Sequence, residues 1–408
     1  MNGDTFTIRR LEDGTVTSPK GFQAGSVYTG LKTPGPGKRD VGIILSDVPC
    51  SIAGVFTQSK VAAAPVVVSR ERVSKGVGRG IVFNAGNANA ATGELGLQRA
   101  RQMAELAAKK FRVSPEDLLV ASTGVIGVPL PIDLFEAGIE QVEISHEGGH
   151  DAAQCIITTD TRRKEIAVEV TSGDWTFKVG AIAKGAGMIH PNMATMLCFI
   201  TTDAAVEPKF LQRALKRCVD VSFNMITIDG DTSTNDTVAV FANGLAGNPP
   251  FTEGVPGAEA FEEALKEVCI QMAKAIAADG EGATRLIEVT VEGAESEEDA
   301  RKAARAIAGS NLLKAAVYGG DPNWGRIACA AGYSGANLEE SRLDITIAGF
   351  PVLRQGRVLS FDAKAASEAL RKPEVSITVN LNLGSGRAVS WGCDLTEEYV
   401  VVNSKYTT

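Results

Sequence analysis

Apolar and polar positions along this 408-residue chain follow two rhythms. Short alternating or unbroken apolar runs predict strands at residues 41–45, 52–56, 80–83, 165–170, 175–183, 195–200, 285–291, 375–383, 388–393 and 399–402. Helical spacing predicts helices over residues 94–111, about 207–221 and about 258–278, the second with Pro208 in its first turn. Ser114-Pro115-Glu116-Asp117 and Ser296-Glu297-Glu298-Asp299 carry a serine cap and first-turn acids, the marks of further helix starts. Strands and helices are mixed without strict β-α-β alternation, and no internal repeat or low-complexity tract breaks the pattern. That mixture predicts an α+β architecture of stacked sheets covered by helices.

Glycine and proline punctuate the loops, as at Thr33-Pro34-Gly35-Pro36-Gly37-Lys38. One loop concentrates candidate chemistry: Lys184-Gly185-Ala186-Gly187-Met188-Ile189-His190-Pro191-Asn192-Met193-Ala194-Thr195-Met196-Leu197. Gly185 and Gly187 permit close approach of the backbone to another group. Pro191 keeps His190 out of helical geometry, so a turn precedes Ala194. A small residue followed by threonine at the mouth of a buried strand makes the Ala194–Thr195 bond a candidate for self-cleavage. Once cut, Thr195 would carry its hydroxyl beside its own α-amine. With an ordinary pKa of roughly 7.7–8, that amine can act as the base for a threonine nucleophile. The same residues also suit a plain strand start, because β-branched side chains favour strands.

Composition narrows the class. The length suggests two or three lobes, and 44% hydrophobic with 22% charged residues fits a globular protein. A formal net charge of −8 argues against a nucleic-acid partner. No apolar run is long enough to span a bilayer, and the start Met1-Asn2-Gly3-Asp4-Thr5 is unlike a signal peptide, so a cytoplasmic location is expected. The seven cysteines are scattered, and Cys155, Cys198, Cys218 and Cys269 fall at apolar positions that predict reduced core residues.

Several other stretches invite a chemical reading, each beside a plainer one. The run from Leu118 ends in Ser122-Thr123-Gly124, which offers a hydroxyl and a free amide to an oxyanion, or simply a strand-to-loop turn. Asn84-Ala85-Gly86-Asn87-Ala88-Asn89-Ala90-Ala91-Thr92-Gly93 has the side chains to cap the helix after it. Thr158 reads as a strand-edge hydroxyl. The polar loop 229–237 looks calcium-like, but its sixth and twelfth positions from Asp229 hold Thr234 and Val240, which excludes the helix–loop–helix calcium pattern. Glycines flank Glu281 in Asp279-Gly280-Glu281-Gly282 and would let its carboxylate approach a small ligand, or leave it a solvated surface group. Gly320-Asp321-Pro322-Asn323-Trp324-Gly325-Arg326-Ile327 has Arg326 and Ile327 where a phosphate loop needs lysine and a hydroxyl, and so predicts a helix start.

The run Lys184–Leu197 resembles the self-cleavage motif of the ornithine acetyltransferase family, the bifunctional glutamate N-acetyltransferases. The segments around Asn84, Thr123, Glu281 and Asn403 resemble that family's in the same order. The resemblance implies an αββα sandwich with a smaller second lobe, cleaved into interwoven chains 1–194 and 195–408. It implies acetyl transfer from N2-acetylornithine to L-glutamate through an acetyl-Thr195 intermediate, with acetyl-CoA a further candidate donor. Thr123 and Gly124 would hold the oxyanion, and Thr158, Lys184, Thr195, Glu281, Asn403 and Thr408 would contact substrate. Such a covalent exchange needs no metal or redox cofactor, and the family's assembly of two cleaved units implies a heterotetramer. A self-processing aminopeptidase on the same scaffold, with water in place of glutamate, is the rival enzyme; an uncleaved chain would favour a binding protein.

Overall fold

The computed structural model describes residues 6–32, 38–190 and 196–405. Ala194, Thr195 and Thr408, expected at the cleavage junction and site, lie outside the described residues.

Alternation of apolar side chains builds a nine-stranded sheet from β1 (Phe6–Arg10), β2 (Phe22–Val27), β3 (Val41–Phe56), β4 (Val77–Asn87), β5 (Leu118–Val125), β6 (Lys164–Ser172), β7 (Trp175–Lys184), β8 (Leu197–Thr202) and β9 (Thr237–Ala242). Its order is β1-β6-β7-β8-β9-β3-β4-β5, with β2 also on β3. The two halves of β3 serve different neighbours: Val41–Ser46 pairs with β2, and Ser51–Phe56 with β9. The sheet thereby folds back on itself. Ile44, Phe83 and Leu119 from one half meet Ile182, Phe199 and Phe241 from the other, and the Phe83 and Phe199 rings lie 5.2 Å apart.

The opposite faces of both halves are covered by helices. Val41, Ile43, Val82 and Val120 pack against α1 (Ala64–Val73), α2 (Gly93–Phe111) and α3 (Ile132–Ile139). α4 (Gly149–Ile156) lies in the inner layer with Ala152 and Ile156. Val168, Phe177, Ile200 and Val240 pack against α5 (Pro208–Asp220) and α6 (Ala258–Ala277). Helices, sheet, sheet and helices thus form the expected αββα layers.

A smaller lobe follows, with a six-stranded sheet ordered β13-β12-β11-β14-β10-β15. Its strands are β10 (Leu286–Ala294), β11 (Asp344–Ile347), β12 (Phe350–Arg354), β13 (Arg357–Val358), β14 (Glu374–Asn380) and β15 (Gly386–Cys393). The remaining helices are α7 (Glu297–Ala308), α8 (Asn311–Gly319), α9 (Trp324–Gly332), α10 (Ala363–Ala369) and α11 (Glu397–Lys405). Glu207 and Ser296 cap α5 and α7 by accepting from Phe210 N and Asp299 N. Asn323 accepts from Arg326 N and starts α9, as its sequence predicts.

Three local expectations are corrected. Ser114 caps only a single 3₁₀ turn, Pro115–Asp117, because Leu118 enters β5 at once. The asparagines at the end of β4 do not cap α2: Asn84, Asn87 and Asn89 donate to the carbonyls of Asn87, Val128 and Gly96, tying the loop to itself, to the turn after β5 and to the first turns of α2. Residues 399–402 are not a strand but part of α11. Their β-branched run suits a strand, yet Glu397 and Glu398 favour a helix N-terminus, and Ile226 rather than the tail meets the outer edge of β15 at Trp391.

Candidate active site

A cavity of about 700 Å³ opens where the inner layers meet the smaller lobe, and Thr123, Gly124, Thr158, Lys184, Glu281 and Asn403 all line it. They arrive from β5, the turn after α4, the end of β7, the turn after α6, and α11.

Thr123 and Gly124 stand near the end of β5. Gly124 has φ 132°, and a Cβ there would lie 2.3 Å from the Gly86 carbonyl carbon, so only glycine fits. Lys184 Nζ donates to Thr123 Oγ1 at 3.3 Å. Lys184 is buried, and burial lowers its pKa while Asp160, Glu281 and Asp236 pull it back up.

Glu281 is held from two directions. Its amide donates to Ala186 O at 2.8 Å, and its carboxylate accepts from Asn403 Nδ2 at 2.8 Å. A Cβ on Gly187 would lie 2.6 Å from the Glu281 carboxyl carbon. Gly187, which permits close approach in the loop after β7, therefore admits Glu281.

Beneath these groups lies a buried ion cluster that sequence reading missed. Lys164 Nζ donates to Asp160 at 2.6 Å and to Asp279 at 2.5 Å. Asp160 also accepts from Gly185 N at 2.7 Å and Thr158 N at 3.1 Å. Burial opposes the Asp160 charge, yet the Lys164 and Lys184 ammoniums and these hydrogen bonds hold its pKa down at about 2. The cluster ties Thr158, Lys184 and the Asp279–Gly282 turn into one frame. A hint was present in Asp160, two residues after Thr158, and in Asp279, two before Glu281.

The polar loop 229–237 bonds neighbouring backbone and also lines the cavity. Asn235 lines the cavity, while its Nδ2 donates to Ala88 O at 2.7 Å and Ser122 O at 2.9 Å. Asp229 accepts from Met188 N at 2.5 Å and Ile189 N at 2.9 Å, and Asp236 accepts from Met196 N at 3.0 Å. Burial raises both carboxyl pKa values, Asp236 well above the usual range.

The arrangement supplies a hydroxyl and an amide at one wall, a buried ammonium beside them, and a carboxylate with an amide side chain opposite. It can hold a small zwitterion and stabilise charge developing on a carbonyl oxygen.

Comparison with known proteins places the chain in a family. The ArgJ family profile matches residues 23–408. The arginine biosynthesis bifunctional protein ArgJ of Dehalococcoides mccartyi is 52% identical over 402 residues, which cover 98% of this chain and 99% of the relative. The protein of the same name from Symbiobacterium thermophilum is 53% identical over 397 residues, covering 97% and 99%. The crystal structure of the arginine biosynthesis bifunctional protein ArgJ from Bacillus halodurans is 46% identical with a TM-score of 0.50, and covers 50% of this chain and 97% of the solved one. A profile match from residue 23 to the last residue, with relatives alike at half of all positions along their full length, makes this chain a member of the ArgJ family.

Proposed function

We propose that this chain is the glutamate N-acetyltransferase of arginine biosynthesis, which moves the acetyl group of N2-acetylornithine to L-glutamate through Thr195. One observation carries the reading: residues from separate parts of the chain, each expected at such a site, converge on one cavity. Self-cleavage comes first. The Thr195 hydroxyl attacks the Ala194 carbonyl, the peptide C–N bond breaks, and water hydrolyses the resulting ester to leave Thr195 with a free amine. In turnover the Thr195 oxygen attacks the acetyl carbonyl of acetylornithine, and its own amine takes the hydroxyl proton. Thr123 and the Gly124 amide stabilise the oxyanion. The acetyl C–N bond breaks, and ornithine leaves as the protonated amine. Glutamate's amine then attacks the acetyl ester and frees Thr195.

In this reading Lys184 holds the α-carboxylate that both substrates share, Glu281 faces ornithine's terminal ammonium, and Thr158, Asn403 and Thr408 complete the grip. Acetyl-CoA acylating the same threonine would account for the word bifunctional in the relatives' names. The half-length match to the Bacillus halodurans chain supports division into 1–194 and 195–408, because 97% of that polypeptide corresponds to 50% of this one. We further assign the cleaved pair to a cytoplasmic heterotetramer; no helix among the described residues is long and apolar enough to cross a membrane. An aminopeptidase is not favoured, since the full-length relatives are arginine-biosynthesis proteins.

Intact-mass spectrometry and an acetyl-exchange assay test the proposal together. Two chains dividing at Ala194–Thr195, labelled acetyl trapped on the chain that begins at Thr195, and parallel double-reciprocal plots are expected. Intersecting plots with no trapped acetyl would replace covalent exchange by direct transfer.

A further inference from the structure

The loop 229–237 is anchored at both ends to the flanks of the junction. On the N-terminal flank, Asp229 uses both carboxylate oxygens: Oδ2 accepts from Met188 N at 2.5 Å, and Oδ1 from Ile189 N at 2.9 Å and Asp231 N at 3.1 Å. Ile228 N adds a bond to Ile189 O at 2.8 Å. On the C-terminal flank, Asp236 Oδ1 accepts from Met196 N at 3.0 Å, and Thr237 N donates to Met196 O at 3.1 Å.

The loop between these ends is braced against the site. Thr57 N donates to Asp236 O at 3.0 Å, Ala63 N to Thr234 O at 2.9 Å, and Asn235 reaches Ser122 O beside Thr123. The buried Lys314 of α8 donates to Ile228 O, and Tyr399 of α11 lies close enough to feel the Asp229 carboxylate. Met188 is held at φ 58°, a left-handed conformation unusual for a side-chain-bearing residue.

We propose that Asp229 and Asp236 are a pair of positioning residues that pin the two flanks of the Ala194–Thr195 junction and so set the rate of self-cleavage; this rests on the cleavage reading above. Met196 N is the atom bonded to the Thr195 carbonyl carbon, so Asp236 fixes the chain immediately after the attacking residue. Asp229 fixes it before the turn. Attack of a hydroxyl on the preceding carbonyl depends steeply on alignment, and a misplacement of about 1 Å can cost on the order of 10² in rate.

The two carboxyls respond differently to amide replacement. Asp236 engages one amide through one oxygen, and burial keeps it toward the neutral acid, so Asp236→Asn preserves the acceptor with the same shape and charge. Asp229 accepts through both oxygens, so Asp229→Asn turns an NH₂ toward a backbone N–H.

The test measures cleavage half-time by denaturing electrophoresis of freshly synthesised full chain, with thermal midpoints of the same samples. Wild type, Thr195→Ala, Asp229→Ala, Asp229→Asn, Asp236→Ala and Asp236→Asn are compared. Asp229→Ala, Asp229→Asn and Asp236→Ala should cleave about tenfold or more slowly, while Asp236→Asn stays within about threefold of wild type. Folded Asp229→Asn cleaving at the wild-type rate overturns the proposal, even if Asp236→Ala fails to fold. Slowing of all four variants in proportion to lost thermal midpoint overturns it too, as that marks general destabilisation. A wild-type chain that stays whole removes the cleavage reading and this pair with it; a wild-type chain that cleaves beside unaffected variants removes only the pair.

Discussion

Thr123 Oγ1 and Lys184 Nζ, 3.3 Å apart, meet in the wall of the cavity. Removing one preorganised oxyanion donor commonly costs about 10²–10³ in rate. Thr123→Ala should lower kcat by that order with an unchanged thermal midpoint, and an unchanged kcat in folded protein would remove Thr123 from the mechanism. Asp160 allows a stability test. Its pKa of about 2 lies below the ordinary 3.8, so the stability it adds is present above pH 3.8 and is lost as pH falls through about 2. Asp160→Asn should therefore cost about 3 kcal/mol at pH 7, where Lys164 and Lys184 lose a buried counter-charge. The gap to wild type should narrow as pH drops from about 4 toward 2, measured by denaturant unfolding at each pH. A gap independent of pH would mean that the carboxylate's charge is not what stabilises the cluster.

α11 shows how an element's identity sets a residue's reach. A strand at residues 399–402 would have continued the tail as an extended edge; the helix instead puts Asn403 within 2.8 Å of Glu281 and back on Tyr399 O at 3.0 Å. Tyr399 meanwhile brings α11 near Asp229. Deleting residues 404–408 spares both contacts, so self-cleavage should proceed while KM rises and more acetyl is lost to water. The ratio of ornithine released to acetylglutamate formed reports this, and an unchanged ratio with unchanged KM would make the tail an inert end.

In the molecule as a whole, strands from before and after residue 194 share one sheet. β8 pairs with β7 along Leu197–Thr202, and β9 pairs with β3 along Thr237–Ala242, so β8 and β9 lie between strands of the first segment. α6 then buries β6 and β7 from outside, while α5 packs on β3. Separating residues 1–194 from 195–408 after the proposed cleavage would break two ladders and open the core. The two chains should co-elute in gel filtration without denaturant and part only when the protein unfolds. Fragments that separate in native buffer would contradict an interwoven fold.

Apolar rhythm and helix-start residues were enough for the α+β class, most strands of the larger sheet, β10, β14 and β15 of the smaller one, α2, α5, α6 and the starts of α7 and α9. These elements follow from local periodicity and capping, which neighbouring residues impose on one another. The expected site residues came through family resemblance, because a lone Thr123 or Glu281 has no local mark that separates a ligand contact from a turn or a solvated group. Their convergence, the Asp160–Lys164–Asp279 cluster and the hold of Asp229 and Asp236 on the junction arise from contacts between distant segments; Lys164 and Asp279, for example, are 115 positions apart. Short-range pattern carries no term for such pairings. The same absence explains the error at residues 399–402, where β-branched side chains pointed to a strand but Ile226 meets the outer edge of β15 and the first-turn acids Glu397 and Glu398 suit a helix.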